Sequence, residues 1–336
     1  MSLDRICICG GGSLGLVCAG VFLSQGLNVN ILSGHPAQWK KEIKVFDPNG
    51  KEYGGLLGIV SDNPSNIIPF SKIVLLCVPG YLIEQTLLKI QPYLNKDCMV
   101  GSIVSSTGFF FIAHKILPND IELFGFQRVP FIARQREYGS IGDLLGYKPS
   151  LNVVIENSRH PESSRKCLER LFMTPVKLLN NYYEASLTNS NPILHTGRLF
   201  SLWGKEPVKP VKEQINFYGD WTDDASEYLI RMDSEFQTLI SALGIKDGTI
   251  PTLLSYYEST DAKSLTSKIR SIEAFKPILA PMIETDEGWI PDYNNRYFKE
   301  DFPFGLRYIW ELCHSHNIPC TTIDQVYYWG ISKLEK

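Results

Sequence analysis

The feature that most narrows the fold is a run of glycines set between short apolar segments. Ile6-Cys7-Ile8-Cys9 leads into Gly10-Gly11-Gly12-Ser13-Leu14-Gly15. An apolar stretch from Leu14 to Ser24 follows, closed by Gly26, and Val29 to Leu32 is apolar again. These periodicities predict strand, glycine turn, helix and strand in immediate succession. A G-x-G-x-x-G pattern alone is common, but a strand before it and a helix after it are the context in which it binds a dinucleotide. Gly10 permits the tight turn, Gly12 leaves room for a pyrophosphate, and Gly15 lets the helix press on the strand. The first N–H groups of the helix, around Ser13 and Leu14, and its positive end would then hold the phosphates. Gly11 to Gly15 also fits G-x-S-x-G, the nucleophile elbow of hydrolases. That elbow takes half of its oxyanion hole from an earlier strand and loop, and only nine residues precede Gly10.

The pattern continues downstream. Residues 42–60 read as a β-hairpin turning at Asn49-Gly50. Ile73 to Val78 is a continuous apolar run of the buried parallel type, stopped by Pro79-Gly80. Tyr81 to Ile90 reads as a helix, and Met99 to Val104 and Ile121 to Phe126 as strands. Leu151 to Ile155 and Val176 to Leu179 bracket a helix over 161–172, with Pro161 in its first turn. Beyond residue 183 the alternation stops, and 183–203, 222–243, 250–280 and 305–316 read as mostly helical. The expected architecture is α/β, a doubly wound Rossmann-type parallel sheet over residues 1–183. A mostly α-helical second domain follows over 184–336.

Composition bounds the partners. A chain of 336 residues with 44% hydrophobic residues is long enough for two packed domains. A net charge of −3 gives no basic surplus for nucleic acid or an anionic membrane. The longest apolar stretch, Leu14 to Leu23, is too short to span a bilayer. Asp4 beside Arg5 and the glycine run ahead of it argue against a targeting signal. The eight cysteines are scattered, several lie in apolar runs, and no C-x-x-C occurs. They read as reduced thiols of a cytoplasmic protein. Cys313, His314, His316 and Cys320 fit no standard zinc spacing, so no metal is expected.

The cofactor is bounded by the end of the second strand. An NAD site usually places Asp or Glu there. This chain has Ser33-Gly34-His35-Pro36, with no acid until Glu42. Ser33 and His35, with Lys40 and Lys41, could instead receive a 2′-phosphate, so NADP is preferred over NAD.

Three further segments go together. They are Asn191-Pro192-Ile193-Leu194-His195, Val129-Pro130-Phe131-Ile132-Ala133-Arg134, and Arg296-Tyr297-Phe298-Lys299-Glu300-Asp301-Phe302-Pro303-Phe304-Gly305-Leu306. With Cys77-Val78-Pro79-Gly80 at a strand end, they resemble the octopine/nopaline (opine) dehydrogenase family over nearly the whole chain. The resemblance implies that an α-keto acid condenses with the amino group of an amino acid and that NAD(P)H reduces the imine. It implies His195 as catalytic acid–base, Asp301 as its partner and Arg296 as the substrate-carboxylate site. It also puts Val78 and Pro79 beside the cofactor. Asn191, four residues before His195 on one helical face, is a candidate substrate contact. The chemistry is consistent: histidine donates protons near neutral pH, a carboxylate fixes its tautomer, and arginine forks onto carboxylates.

Each residue also has a plainer reading. His195 could be structural, Arg296 could pair with Asp292 or Glu300, and Asp301 could cap a helix ahead of Pro303. Arg128 and Arg134 read as structural. Two other functions stay open, a ketopantoate-reductase-like 2-keto acid reductase and a non-catalytic NADP-binding sensor. The first uses a lysine early in its second domain, and residues 183–203 contain none. The amino acid, the keto acid and whether the chain is a homodimer are left open by the sequence.

Overall fold

The computed structural model of the chain describes residues 5–205 and 207–334. The chain divides into two compact units, one ending at Ser186 and the other beginning at Leu187. In the first, the strands are β1 Arg5–Cys9, β2 Asn28–Leu32, β3 Glu42–Phe46, β4 Glu52–Leu56, β5 Val60–Ser61 and β6 Ile73–Leu76. They continue as β7 Met99–Ser102, β8 Glu122–Phe126, β9 Phe131–Glu137, β10 Ile141–Tyr147, β11 Leu151–Glu156 and β12 Val176–Leu178. Its helices are α1 Ser13–Leu23, α2 Gly80–Ile90, α3 Phe109–Ile116, α4 Pro161–Phe172 and α5 Tyr182–Ser186.

The main sheet has the order β12-β11-β8-β7-β6-β1-β2-β5. From β5 to β8 every pair is parallel. Their chain order is 3-2-1-4-5-6, the doubly wound arrangement whose switch point lies between β1 and β6. Alternate residues of β1 enter two separate cores. Ile6 and Ile8 face one, while Cys7 and Cys9 face another that holds Ile83 and Leu87 of α2 and Phe109 and Phe110 of α3. Burial on both faces explains why these strands read as unbroken apolar runs.

Two features depart from the sequence expectation. β11 pairs with β8 antiparallel. The chain returns from β8 to the sheet through a hairpin, not through a crossover helix, and a parallel return needs the crossover. That hairpin, β9–β10, was not anticipated. It joins β3–β4 in a second sheet of order β4-β3-β10-β9, which packs on α1. The hairpin over 42–60 is present as β3–β4. Its turn spans Asp47 to Lys51, where Asp47 Oδ1 accepts from the N–H groups of Asn49 and Lys51 at 2.9 Å each. The contact with α1 is so close that a Cβ on Gly20 would lie 2.6 Å from Val45 of β3.

The second unit holds α6 Asn191–Trp203, α7 Asp223–Ala242, α8 Leu253–Tyr256, α9 Ala262–Ser271, α10 Arg296–Lys299, α11 Arg307–Ser315 and α12 Thr321–Leu334. A short hairpin, β13 Met282–Thr285 with β14 Gly288–Pro291, precedes α10. The expected helix over 250–280 is broken into α8, α9 and a 3₁₀ turn at Glu273–Phe275. α6 packs against α7, α12 and a π-helical turn at Phe302–Leu306. The π turn comes so near the start of α6 that a Cβ on Gly305 would sit 2.8 Å from Pro192. Only glycine tolerates that approach, and it draws the segment around Asp301 toward the first turns of α6.

Candidate active site

The glycine loop lies at the carboxyl ends of β1 and β6, the switch point. Gly10 is at φ +119°, and a Cβ there would be 2.5 Å from the Cys77 carbonyl oxygen. A Cβ on Gly15 would be 2.7 Å from the Gly10 carbonyl oxygen. These two positions need glycine for packing. Gly12, the N-cap of α1, is different: among the described residues nothing beyond its own chain neighbours lies within 4 Å of where its Cβ would be. Open space in front of a helix N-terminus is what a phosphate needs, so the loop fits a dinucleotide. Ser13 and Leu14 open α1, and Pro79 is the N-cap of α2.

A cavity of about 390 Å³ runs from this loop along β2. Gly10, Gly11, Ser33, His35 and Val78 line it, joined by Lys89 of α2 and by Tyr138 from the β9–β10 turn. The Tyr138 hydroxyl lies 3.3 Å from Ser33 Oγ and directly over Gly11. The His35 N–H donates to Ser33 Oγ at 3.2 Å. Of the two lysines considered for a 2′-phosphate, Lys41 donates to the Gly58 carbonyl at 2.8 Å, and neither lines this cavity. Tyr138 and Lys89 escaped the sequence reading, because Tyr138 reaches the loop only through the second sheet.

In the second unit, His195 lies in the second turn of α6 and is 6% exposed. Its Nδ1 is 2.8 Å from Asp301 Oδ2, across 106 residues of chain. Its Nε2 is 2.9 Å from the Tyr218 hydroxyl. With Asp301 ionised, Nδ1–H donates to the carboxylate and Nε2 faces the phenol. Asp301 begins the π turn, but its side chain makes no capping hydrogen bond, so the helix-cap reading gives way to the histidine contact. Tyr297 packs against the imidazole, centroids 4.6 Å apart. Burial pushes the Tyr218 phenol well above its ordinary ionisation range.

Arg296 forms no ion pair with Asp292 or Glu300 among the described residues. Its guanidinium lies over the Tyr297 ring, 5.7 Å from the centroid. It also lines a cavity of about 330 Å³ with Gln214, Met282, Asn295 and Tyr297. That places a cation and an open volume one residue from the ring that packs on His195. Asn191 is the first residue of α6, and its N–H donates to Asn189 Oδ1. Asn191 lies in the same helix as His195 but does not join the His195–Asp301 contact.

Arg198, one turn beyond His195, also escaped the sequence reading. It is 1% exposed, donates to the carbonyls of Phe217 at 3.0 Å and Asp220 at 2.7 Å, and lies over Trp221. Burial lowers it to about 10. Near the C-terminus, His314, Cys320 and Asp324 bring donor atoms within 4.8 Å of one another. His314 Nε2 and the Trp310 indole N–H both lie 2.8 Å from Asp324 Oδ1, and the Cys320 thiol is 3.6 Å from it. This carboxylate gathers the group, and it was absent from the sequence reading.

Residues 178–333 match the family described as NAD/NADP octopine/nopaline dehydrogenase, alpha-helical domain. Octopine dehydrogenase of Pecten maximus is 24% identical over 362 residues, covering 99% of this chain and 90% of that protein. A solved octopine dehydrogenase with NADH and L-arginine superposes with a TM-score of 0.85 at 23% identity, covering 99% of this chain and 90% of that one. A yersinopine dehydrogenase with NADP⁺ bound gives 0.72 at 12% identity, covering 99% and 91%.

Proposed function

We propose that the chain is a member of the octopine/nopaline dehydrogenase family, whose helical-domain model matches residues 178–333, and that it is an NAD(P)-dependent oxidoreductase acting on CH–NH bonds. It joins an α-keto acid to the amino group of an amino acid and reduces the resulting C=N bond. The observation that carries this reading is the buried His195–Asp301 pair at 2.8 Å, held within the segment that matches the family.

The roles follow from the chemistry. Condensation needs a proton for the carbonyl oxygen, then another when that oxygen leaves as water. His195 supplies and recovers these protons at Nε2, and Asp301 holds the ring and supports the imidazolium. Arg296 offers a planar fork for a substrate carboxylate at the mouth of its cavity, and Asn191 is the second substrate contact. Gly10, Gly12, Ser13, Leu14 and Gly15 hold the cofactor's phosphates, with Ser33, His35, Val78 and Pro79 along the rest of it. When bound, the nicotinamide cofactor supplies the hydride.

NADP is the preferred form. The end of β2 offers Ser33 Oγ and His35 in place of a carboxylate, and Lys89 adds a cation to the same cavity. The two solved relatives bind NADH and NADP⁺ respectively. The eight free thiols favour a reducing compartment, the cytoplasm.

The test is NADPH and NADH oxidation with a panel of α-keto acids, each with and without a panel of amino acids. Oxidation requiring both substrates is the expected result. Oxidation with a keto acid alone would replace this reading by a simple 2-keto acid reductase. Cofactor binding with no oxidation by any pair would replace it by a sensor.

A further inference from the structure

His195 has both ring nitrogens engaged. Nδ1 is held by Asp301, so Nε2 is the atom through which protons must pass, and Nε2 already faces the Tyr218 hydroxyl. A histidine acting directly on substrate needs that atom open. Either the phenol swings aside, or it transmits the proton.

The surroundings of Tyr218 favour transmission. Its ring lies nearly parallel to Phe275, centroids 4.2 Å apart at 20°, and to Trp221, 6.0 Å apart at 7°. The backbone on either side is anchored. The Phe217 N–H donates to the Ile278 carbonyl at 2.9 Å, and Arg198 holds the carbonyls of Phe217 and Asp220. Arg198 stands one turn from His195 on α6, so one helix carries the imidazole and also fixes the loop that brings the phenol to it. Tyr218 is 4% exposed. Swinging it out would break its stacking and strain a loop tied at both ends.

We propose that Tyr218 is a catalytic proton relay between His195 and the substrate oxygen, which makes the acid–base group Asp301–His195–Tyr218. The inference rests on the condensation reaction proposed above. In the dehydration step, the carbinolamine C–O bond breaks and its electron pair stays on oxygen. That oxygen takes the Tyr218 O–H proton while the phenol oxygen takes the Nε2–H proton of the imidazolium. The nitrogen lone pair forms the C=N bond, water leaves, Tyr218 ends as it began and His195 ends neutral. Because burial disfavours tyrosinate, the two transfers are concerted. The reverse direction runs the same chain backwards.

The test uses the full-length enzyme with its best substrate pair. Tyr218→Phe keeps the stacking ring and removes only the hydroxyl. The relay predicts a kcat loss of at least about 100-fold, with KM and NADPH affinity within a few-fold of wild type. A kcat within threefold of wild type would overturn it. The second measurement needs no variant: wild-type kcat is followed across mixtures of H₂O and D₂O, under saturating substrates, in the step that limits turnover before hydride transfer. Two protons in flight give a bowed plot, and a straight line would overturn the relay. A wild type silent with every substrate pair would overturn the condensation itself, and the relay with it. A turning-over wild type with an active Tyr218→Phe enzyme would overturn the relay alone.

Discussion

The glycine loop and the histidine site are built by opposite means. The loop works through missing atoms. Gly10 and Gly15 lack a Cβ where a carbonyl oxygen already sits, and Gly12 lacks one where space is kept. The histidine site works through added atoms, with a carboxylate and a phenol brought to one imidazole from distant parts of the chain. A site made by omission tolerates almost no enlargement, while a site made by contact tolerates almost no loss of a functional group.

The largest effects should separate the two. His195→Ala is expected to lower kcat by about 10²–10⁴-fold and to leave the NADPH dissociation constant within about threefold, measured by fluorescence titration. Gly12→Val should do the converse. It fills the open space before α1 and should weaken NADPH at least 100-fold, about 2.7 kcal/mol, while the His195 ring resonances in an NMR spectrum stay in place. Loss of cofactor affinity in His195→Ala, or its retention in Gly12→Val, would break the division.

An intermediate effect distinguishes packing glycine from binding glycine. Gly15→Ala puts a methyl group 2.7 Å from the Gly10 carbonyl oxygen. It should lower unfolding stability by about 1–3 kcal/mol, read by urea titration. Gly12→Ala meets no atom and should change stability by much less. Equal losses at both positions would mean that the loop has no open side.

The smallest effect concerns a residue in neither site. Burial pushes the Cys98 thiol up to about 12, from an ordinary value of 9.0. A raised folded-state value means the neutral thiol's contribution is full below pH 9 and is lost as pH rises toward 12. Between pH 9 and pH 10, Cys98→Ala should therefore lose about 1 kcal/mol less stability than wild type, measured by denaturant titrations at the two pH values. Identical slopes would place the thiol in contact with solvent.

The same contrast explains what could be read from the sequence. The loop is local: ten residues between two apolar strands state its geometry, and β1, α1, β2 and β6 appear where periodicity puts them. His195 and Asp301 were legible only through their motifs, since nothing in the spacing of residues 106 apart brings them together. Tyr218 was not legible at all. It lies in an aperiodic stretch between α6 and α7, and its role comes from Arg198 anchoring that stretch. The β9–β10 hairpin was missed for a related reason. Its exposed positions mix Arg134, Arg136 and Glu137 with Ile132, Leu145 and Tyr147, so no clean alternation marks it, and only its partner β3, nearly a hundred residues upstream, completes the sheet.

That second sheet has a consequence for how the loop comes into being. α1 is enclosed between the main sheet and β4-β3-β10-β9, and the second sheet closes only when Lys44 pairs with Ile141. A contact between such distant residues forms late, after its loop-closure entropy has been met. The amides of α1 should therefore gain hydrogen-exchange protection together with those of β10, as one cooperative block. A nascent chain that has emerged only as far as β8 would carry the complete glycine motif without yet having the clamp that keeps it rigid.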